Sequence, residues 1–192
     1  MAGTATKNKV HFGLEGLTFW VLDGESTYGS PISVPGIVGL SASPQTSSDA
    51  FYADNVEYFR ASADNGDEVE LETAGLPDSF LAAALGWRVD TNGALIRVAD
   101  GVKKQFAMAF KVCGDQCNRG KVYYKGTASI PEDSNQTKGE STDVQTEKIK
   151  INFTPILVGE EKVVCARVDA DAAPSAWTKF FTEPYMPDTP AV

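Results

Sequence analysis

The chain reads as mainly β with one short flanking α-helix, and three observations lead there. Several short runs alternate apolar and polar residues with a period of two, the signature of half-buried strands. Glycine, proline and an Asn-Gly pair break these runs at short intervals. A single compact helical segment, residues 77–85, is bracketed by Pro77 and Gly86.

Residues 8–13 and 17–22 are strand candidates on either side of a Glu15-Gly16 turn, which predicts a hairpin near the start. Residues 37–43 and 50–60 continue in the same style. Pro31, Pro35 and Pro44 mark intervening loops, because proline cannot donate to a sheet ladder. Asp64, Asn65, Gly66 and Asp67 read as a turn. The EF-hand calcium pattern fails there, since placing Gly66 at the sixth position puts Ala61 at the first.

Glu68, Glu70 and Glu72 alternate with Val69, Leu71 and Thr73, so three carboxylates share one strand face. Same-face neighbours lie roughly 6.5–7 Å apart, which makes a line of like charge and not an acid/base pair. The helix follows: Pro77 suits its first turn, Asp78 complements its positive end, and Gly86 stops it. Phe80, Leu81, Ala84 and Leu85 share a face. A helix this short is held by packing on a sheet, because isolated helices need about 12–15 residues to be even marginal in water.

Two strands flank Asn92-Gly93, the strongest short hairpin signal in the chain. Residues 104–112 place Phe106, Met108 and Phe110 on one face and the small Ala107 and Ala109 on the other, and residues 121–129 pair with them across CGDQCNRG. Residues 129–143 form a polar stretch far longer than a routine hairpin loop, and residues 144–153 and 161–169 close the β portion. The chain divides into a β-domain, 1–172, and a C-terminal aromatic and proline-rich arm, 173–192. In that arm Trp177, Phe180 and Phe181 fall at i, i+3 and i+4, followed by Tyr185, Met186 and an extended end.

The run FYADN, then ELETAGLPDSFLAAALG, then QFAMAFKV with GKVYYKG, then TKGES before a β stretch, resembles the major tail protein (tail tube) family of long-tailed bacteriophages. These pieces fall in order over most of the chain, from about residue 8 to about residue 169. The resemblance implies a tail-tube-type β-sandwich or barrel-like subunit with a flanking helix and extended terminal arms. It implies hexameric rings stacked into a hollow, non-contractile tube, contacts with other tail proteins, and DNA passing through the lumen without sequence-specific binding. It also implies a place in the virion, manufacture in the bacterial cytoplasm, and no catalytic residues.

Composition is consistent with that expectation. The 192 residues and 42% hydrophobic content suit one domain with a sizeable core. A net charge of −9 argues against gripping a nucleic acid, which requires cations against phosphates. No apolar run reaches the ~18 residues of a membrane span, and MAGTATKNK lacks a signal-peptide core, so no membrane anchor is expected and the compartment reads as cytoplasmic. Three cysteines fit a reducing compartment. Cys113 and Cys117 with His11 and Cys165 make four ligands on paper, but they do not come as the close pairs of a structural zinc site, so no metal or cofactor is expected. The lone histidine sits on a hydrophobic strand with no nucleophile motif, and no enzyme is expected.

Three features carry two readings each. Glu68, Glu70 and Glu72 are either a solvated strand face or, by the resemblance, part of an electronegative lumen. The long loop, with Glu132, Asp133, Lys138, Gly139 and Glu140, is an exposed loop or a contact with a neighbouring subunit or ring. Trp177, Phe180, Phe181, Tyr185 and Met186 cover their own core or dock on the next ring. A different function class, a soluble β-sandwich module that recognises carbohydrate or protein through its loops, would use Trp20, Trp87 and Trp177.

Overall fold

Twelve strands and two helices are present in a computed structural model that describes residues 10, 12–24, 27–114, 118–133, 135, 137 and 145–188. In chain order these are β1 (Leu14–Asp23), β2 (Thr27–Ser33), β3 (Ile37–Ala53), β4 (Val56–Thr73), α1 (Asp78–Leu85), β5 (Arg88–Val89) and β6 (Leu95–Ile96). They continue with β7 (Phe106–Val112), β8 (Arg119–Ala128), β9 (Glu147–Thr154), β10 (Ile156–Val158), β11 (Glu161–Val163), β12 (Cys165–Asp169) and α2 (Pro174–Lys179). The protein is mainly β, as the alternation predicts, with the expected short helix at α1 and a second, unexpected one at α2.

Eight strands form one antiparallel sheet in the order β2-β1-β7-β8-β9-β4-β3, with β12 added alongside the first half of β8. The outermost strands β2 and β3 are consecutive in sequence and joined only by residues 34–36. That link spans at most about 14 Å, whereas seven strands laid flat cover roughly 29 Å. The sheet therefore rolls until its edges approach. The link is held at both ends, by Val34 N–H donating to Leu17 O at 2.9 Å and Ala74 N–H donating to Gly36 O at 2.7 Å.

Rolling gives the sheet an inner and an outer face, each with its own core. Phe106, Met108 and Phe110 point inward with Phe19, Val69, Leu71, Tyr123, Ile149, Ile151 and Phe153, while Ala107 and Ala109 point outward. Helix α1 closes over the inner face with Phe80, Leu81, Ala84 and Leu85, as its spacing predicts, and Gly86 ends it in the left-handed conformation. Phe80 lies 4.4 Å from Phe19 and 5.4 Å from Phe106, ring centre to ring centre, and such aromatic contacts add to plain burial.

Several strand expectations need correction. Pro31, read as a loop, lies inside edge strand β2 opposite Trp20, and Val10, Phe12 and Gly13 of the predicted strand 8–13 are in no strand. The predicted Glu15-Gly16 turn is a bulge: β1 runs straight through it, Gly16 takes φ +68°, and the register to β7 shifts between Glu15 and Thr18. Pro44 does not interrupt β3, because β3 is an edge strand and its register to β4 shifts between Pro44 and Thr46, a bulge of the kind that tolerates proline. The predicted strand 50–60 contains a hairpin turn at Asp54 and Asn55, both left-handed, as a two-residue hairpin turn requires. The expected turn at 64–67 is a second bulge inside β4, where Gly66 N–H donates to Asp64 Oδ1 at 2.9 Å. The Asn92-Gly93 hairpin is present, with strands of only two residues each.

Candidate assembly interface

β3 and β4 stay paired from Ile37 and Thr73 out to Ala53 and Val56, whereas β9 accompanies β4 only from Asp67 to Thr73. Residues 46–53 and 56–64 consequently leave the sheet as a two-stranded ribbon. Its pivot is Gly66, at φ +107°, where an added Cβ would lie 1.9 Å from Phe153 O, so only glycine fits. Beyond the pivot the ribbon is solvent-facing on both sides, apart from the half-buried Ala50 and Ala53. Phe51 and Phe59 pair directly across it at 62% exposure each, and Tyr52, Val56 and Tyr58 add further exposed apolar surface. Arg60 clasps Glu57 through two hydrogen bonds of 2.8 and 2.7 Å, which lowers the Glu57 pKa. A lone two-stranded hairpin is at best marginal in water, and a contiguous exposed apolar patch marks an interaction site.

The glutamate row lies where alternation predicts: Val69, Leu71 and Thr73 are buried, and Glu68, Glu70 and Glu72 point outward. The neighbouring strand changes its electrostatics. β9 places Asn152 beside Glu68, Lys150 beside Glu70 and Lys148 beside Glu72, with Lys148 Nζ 3.7 Å from the Glu72 carboxylate. Thr146 Oγ1 also donates to Glu72 Oε1 at 2.6 Å. The face is a mixed ladder, and its lysines were legible in the alternating KIKIN run, though not their placement against the glutamates.

The C-terminal arm lies on the outer face of its own sheet. Phe180 is 0% exposed and sits among Trp20, Ala107, Ala109, Val122, Tyr124 and Val168, with Trp177 stacked on it at 5.3 Å. Gly120 makes room, since a Cβ there would lie 2.5 Å from the Phe180 ring. Trp20 Nε1–H donates to Thr182 O at 3.3 Å, tying the arm to β1. Of the arm's five candidate contact residues, Phe180 is wholly taken up in its own chain, and Trp177, Phe181 and Tyr185 pack partly against the same core. Met186 remains exposed. Trp20 is buried as well, so it offers no platform for a sugar.

In the long loop, Glu132 N–H donates to Lys148 O at 3.0 Å and Asp133 accepts from Asn135 Nδ2 at 2.6 Å, both residues being exposed. Lys138, Gly139 and Glu140 lie outside the described residues, as do His11 and Cys117. Among the described residues, Cys113 and Cys165 are free thiols, and no group of three or more His, Cys, Asp or Glu side chains is arranged to hold a metal. No helix among them is long and apolar enough to cross a membrane.

No protein-family model matches this chain, and no curated protein matches it. Among solved structures it is similar to the tube-terminating cap of the anti-feeding prophage, at TM-score 0.46 and 10% identity over 88% of this chain and 100% of that one. It is also similar to a chain of the six-fold symmetrised anti-feeding prophage baseplate, at TM-score 0.43 and 7% identity over 86% of this chain and 97% of that one. At this level of similarity neither the architecture nor the role of those proteins carries over.

Proposed function

We propose that this protein is a structural subunit of a phage tail that self-assembles, as hexameric rings stacked into a tail tube through which DNA passes. The observation that carries the reading is the β3–β4 ribbon. It projects from a well-packed rolled sheet, displays a phenylalanine pair and two tyrosines to solvent, and buries almost none of them in its own chain. A subunit that polymerises gains from such an element, because the neighbour covers the apolar surface and orders the ribbon. The ordered sequence resemblance to tail tube proteins supports the same reading.

In this reading the subunit does no chemistry. The outward face of β4 and β9 is the candidate channel wall, with Glu68, Glu70 and Glu72 repelling phosphate, and Lys148 and Lys150 tempering that repulsion. Lys138, Gly139, Glu140 and the exposed Met186 are further candidate contacts with other subunits. Sedimentation velocity tests the reading: the 20.5 kDa chain is expected to give large species that grow with concentration. A monomer throughout a wide range of concentration and salt overturns it.

A further inference from the structure

The ribbon and the β5–β6 corner lie at opposite ends of the sheet, and their surfaces are complementary. Phe106, Gly126, Phe153 and Asp67 form one row of paired residues across β7, β8, β9 and β4. From that row the ribbon runs in the direction in which β7 ends, at Val112. The β5–β6 hairpin lies in residues 86–104, which lead into the opposite end of β7, at Phe106. β4 alone spans roughly 56 Å at the usual rise per strand residue, so the two surfaces are well separated within one chain.

Their chemistry differs in sign. The ribbon, residues 45–65, carries four carboxylates against one arginine, and that arginine is occupied by Glu57. Asp49 shares a ribbon face with Phe51, Phe59 and Ala61, by alternation and pairing. In residues 86–104 four cations stand against two carboxylates, and one of these, Asp90, is occupied by its own turn, accepting from Asn92 N–H and Ala94 N–H at 2.8 Å each. Arg88 and Arg97 are exposed and have no ion-pair partner among the described residues. Three exposed valines lie in the same segment: Val89 and Val98, next to Arg88 and Arg97 in sequence, and Val102 at 79%.

We propose that the acidic aromatic ribbon of one copy docks on the β5–β6 corner of the next, with Asp49 facing Arg88 and Arg97 and the Phe51–Phe59 pair covering Val89, Val98 and Val102. The contact is head to tail and uses different surfaces on the two copies, a geometry that can either close into a ring or propagate along a tube. It rests on the assembly reading above and adds the acceptor surface to it. Charge complementarity sets the register, and the apolar pair supplies the buried area.

Two full-length proteins test this. One has residues 46–63 replaced by an Asn-Gly turn, so it can accept but not donate; the other carries Arg88→Glu and Arg97→Glu, so it can donate but not accept. Circular dichroism melting checks that each is folded, and Val102→Glu serves as the acceptor variant if the double arginine change is not. Each protein alone is expected to stop short of tubes in electron micrographs, and an equimolar mixture to form a heterotypic pair by sedimentation. Introducing Asp49→Arg into the Arg97→Glu background is expected to restore extension. If removing the ribbon stops assembly while the acceptor variant assembles like the unaltered chain, the acceptor assignment falls and the assembly reading stands. If the ribbon-less protein assembles normally, the docking proposal falls and assembly runs through other surfaces; if the unaltered chain stays monomeric, both fall.

Discussion

Phe51 stands directly opposite Phe59 across a turn whose two central residues, Asp54 and Asn55, are both left-handed, and both rings face solvent. The pair stabilises the ribbon locally by an amount on the order of 0.2–1 kcal/mol, far less than the same rings would contribute buried in a core. Its placement matters more for association than for folding.

The double change Phe51→Ser with Phe59→Ser is therefore expected to alter the unfolding free energy of the isolated subunit by less than about 1 kcal/mol while abolishing higher-order assembly. Urea denaturation measures the first quantity and sedimentation velocity the second. A large loss of stability with assembly retained would reverse the assignment.

Phe180 behaves in the opposite way. Because it is enclosed by Trp20, Val122, Tyr124 and the flat face made by Ala107 and Ala109, Phe180→Ala is expected to cost about 3–5 kcal/mol. Met186→Ala, on the exposed part of the same arm, is expected to stay within about 0.5 kcal/mol. Comparing the two urea midpoints distinguishes an arm that completes its own core from one that merely lies along the surface.

The Tyr124 hydroxyl is buried with no hydrogen-bond partner among the described residues, and burial pushes its pKa well above the ordinary tyrosine value. A buried polar group left unpaired is destabilising, so Tyr124→Phe is expected to raise stability by about 1 kcal/mol. Thermal unfolding checks this, and a fall in the midpoint would mean that the hydroxyl has a partner.

Asp90 gives a pH dependence with a definite sign. Its carboxylate accepts from the Ala94 and Asn92 backbone N–H groups, which holds its pKa below the ordinary 3.8. A depressed folded pKa means that the unfolded chain binds the proton first as pH falls, so the stabilisation is fully present above the unfolded value and is lost as pH drops through the folded one. Asp90→Asn is expected to be less stable than the unaltered chain at neutral pH, with the gap narrowing below pH 3.8. Denaturant titrations across that range read it out, and a gap independent of pH would contradict it.

Strands and helix were legible wherever the relevant forces are local. Phe106, Met108 and Phe110 alternate against Ala107 and Ala109 in the sequence as they do in the fold, and Pro77, Asp78 and Gly86 bound α1 as written. The ribbon was not legible as one element. Its residues 45–49 and 61–65 are mostly small and polar, its turn is Asp-Asn in place of a glycine signal, and Gly66 reads as a turn although it is a bulge. The aromatic residues FY and YF on either side of Asp54 and Asn55 were the available clue. The candidate lumen face depended on a strand almost 80 residues away, because Lys148 and Lys150 reach the glutamates only through the register of β9 against β4. Placement of the arm was likewise a matter of tertiary packing: the i, i+3, i+4 spacing of Trp177, Phe180 and Phe181 is equally suited to covering its own core or a neighbour's.

Polymerisation of this chain is proposed to run through surfaces that its own fold leaves uncovered. Cryo-electron microscopy of the purified full-length protein tests it most directly. Stacked six-fold rings around an open channel are expected, with density for residues 46–64 resting on the adjacent copy; dispersed single subunits at every concentration and salt, or rings in which those residues touch nothing, would overturn the assembly proposal.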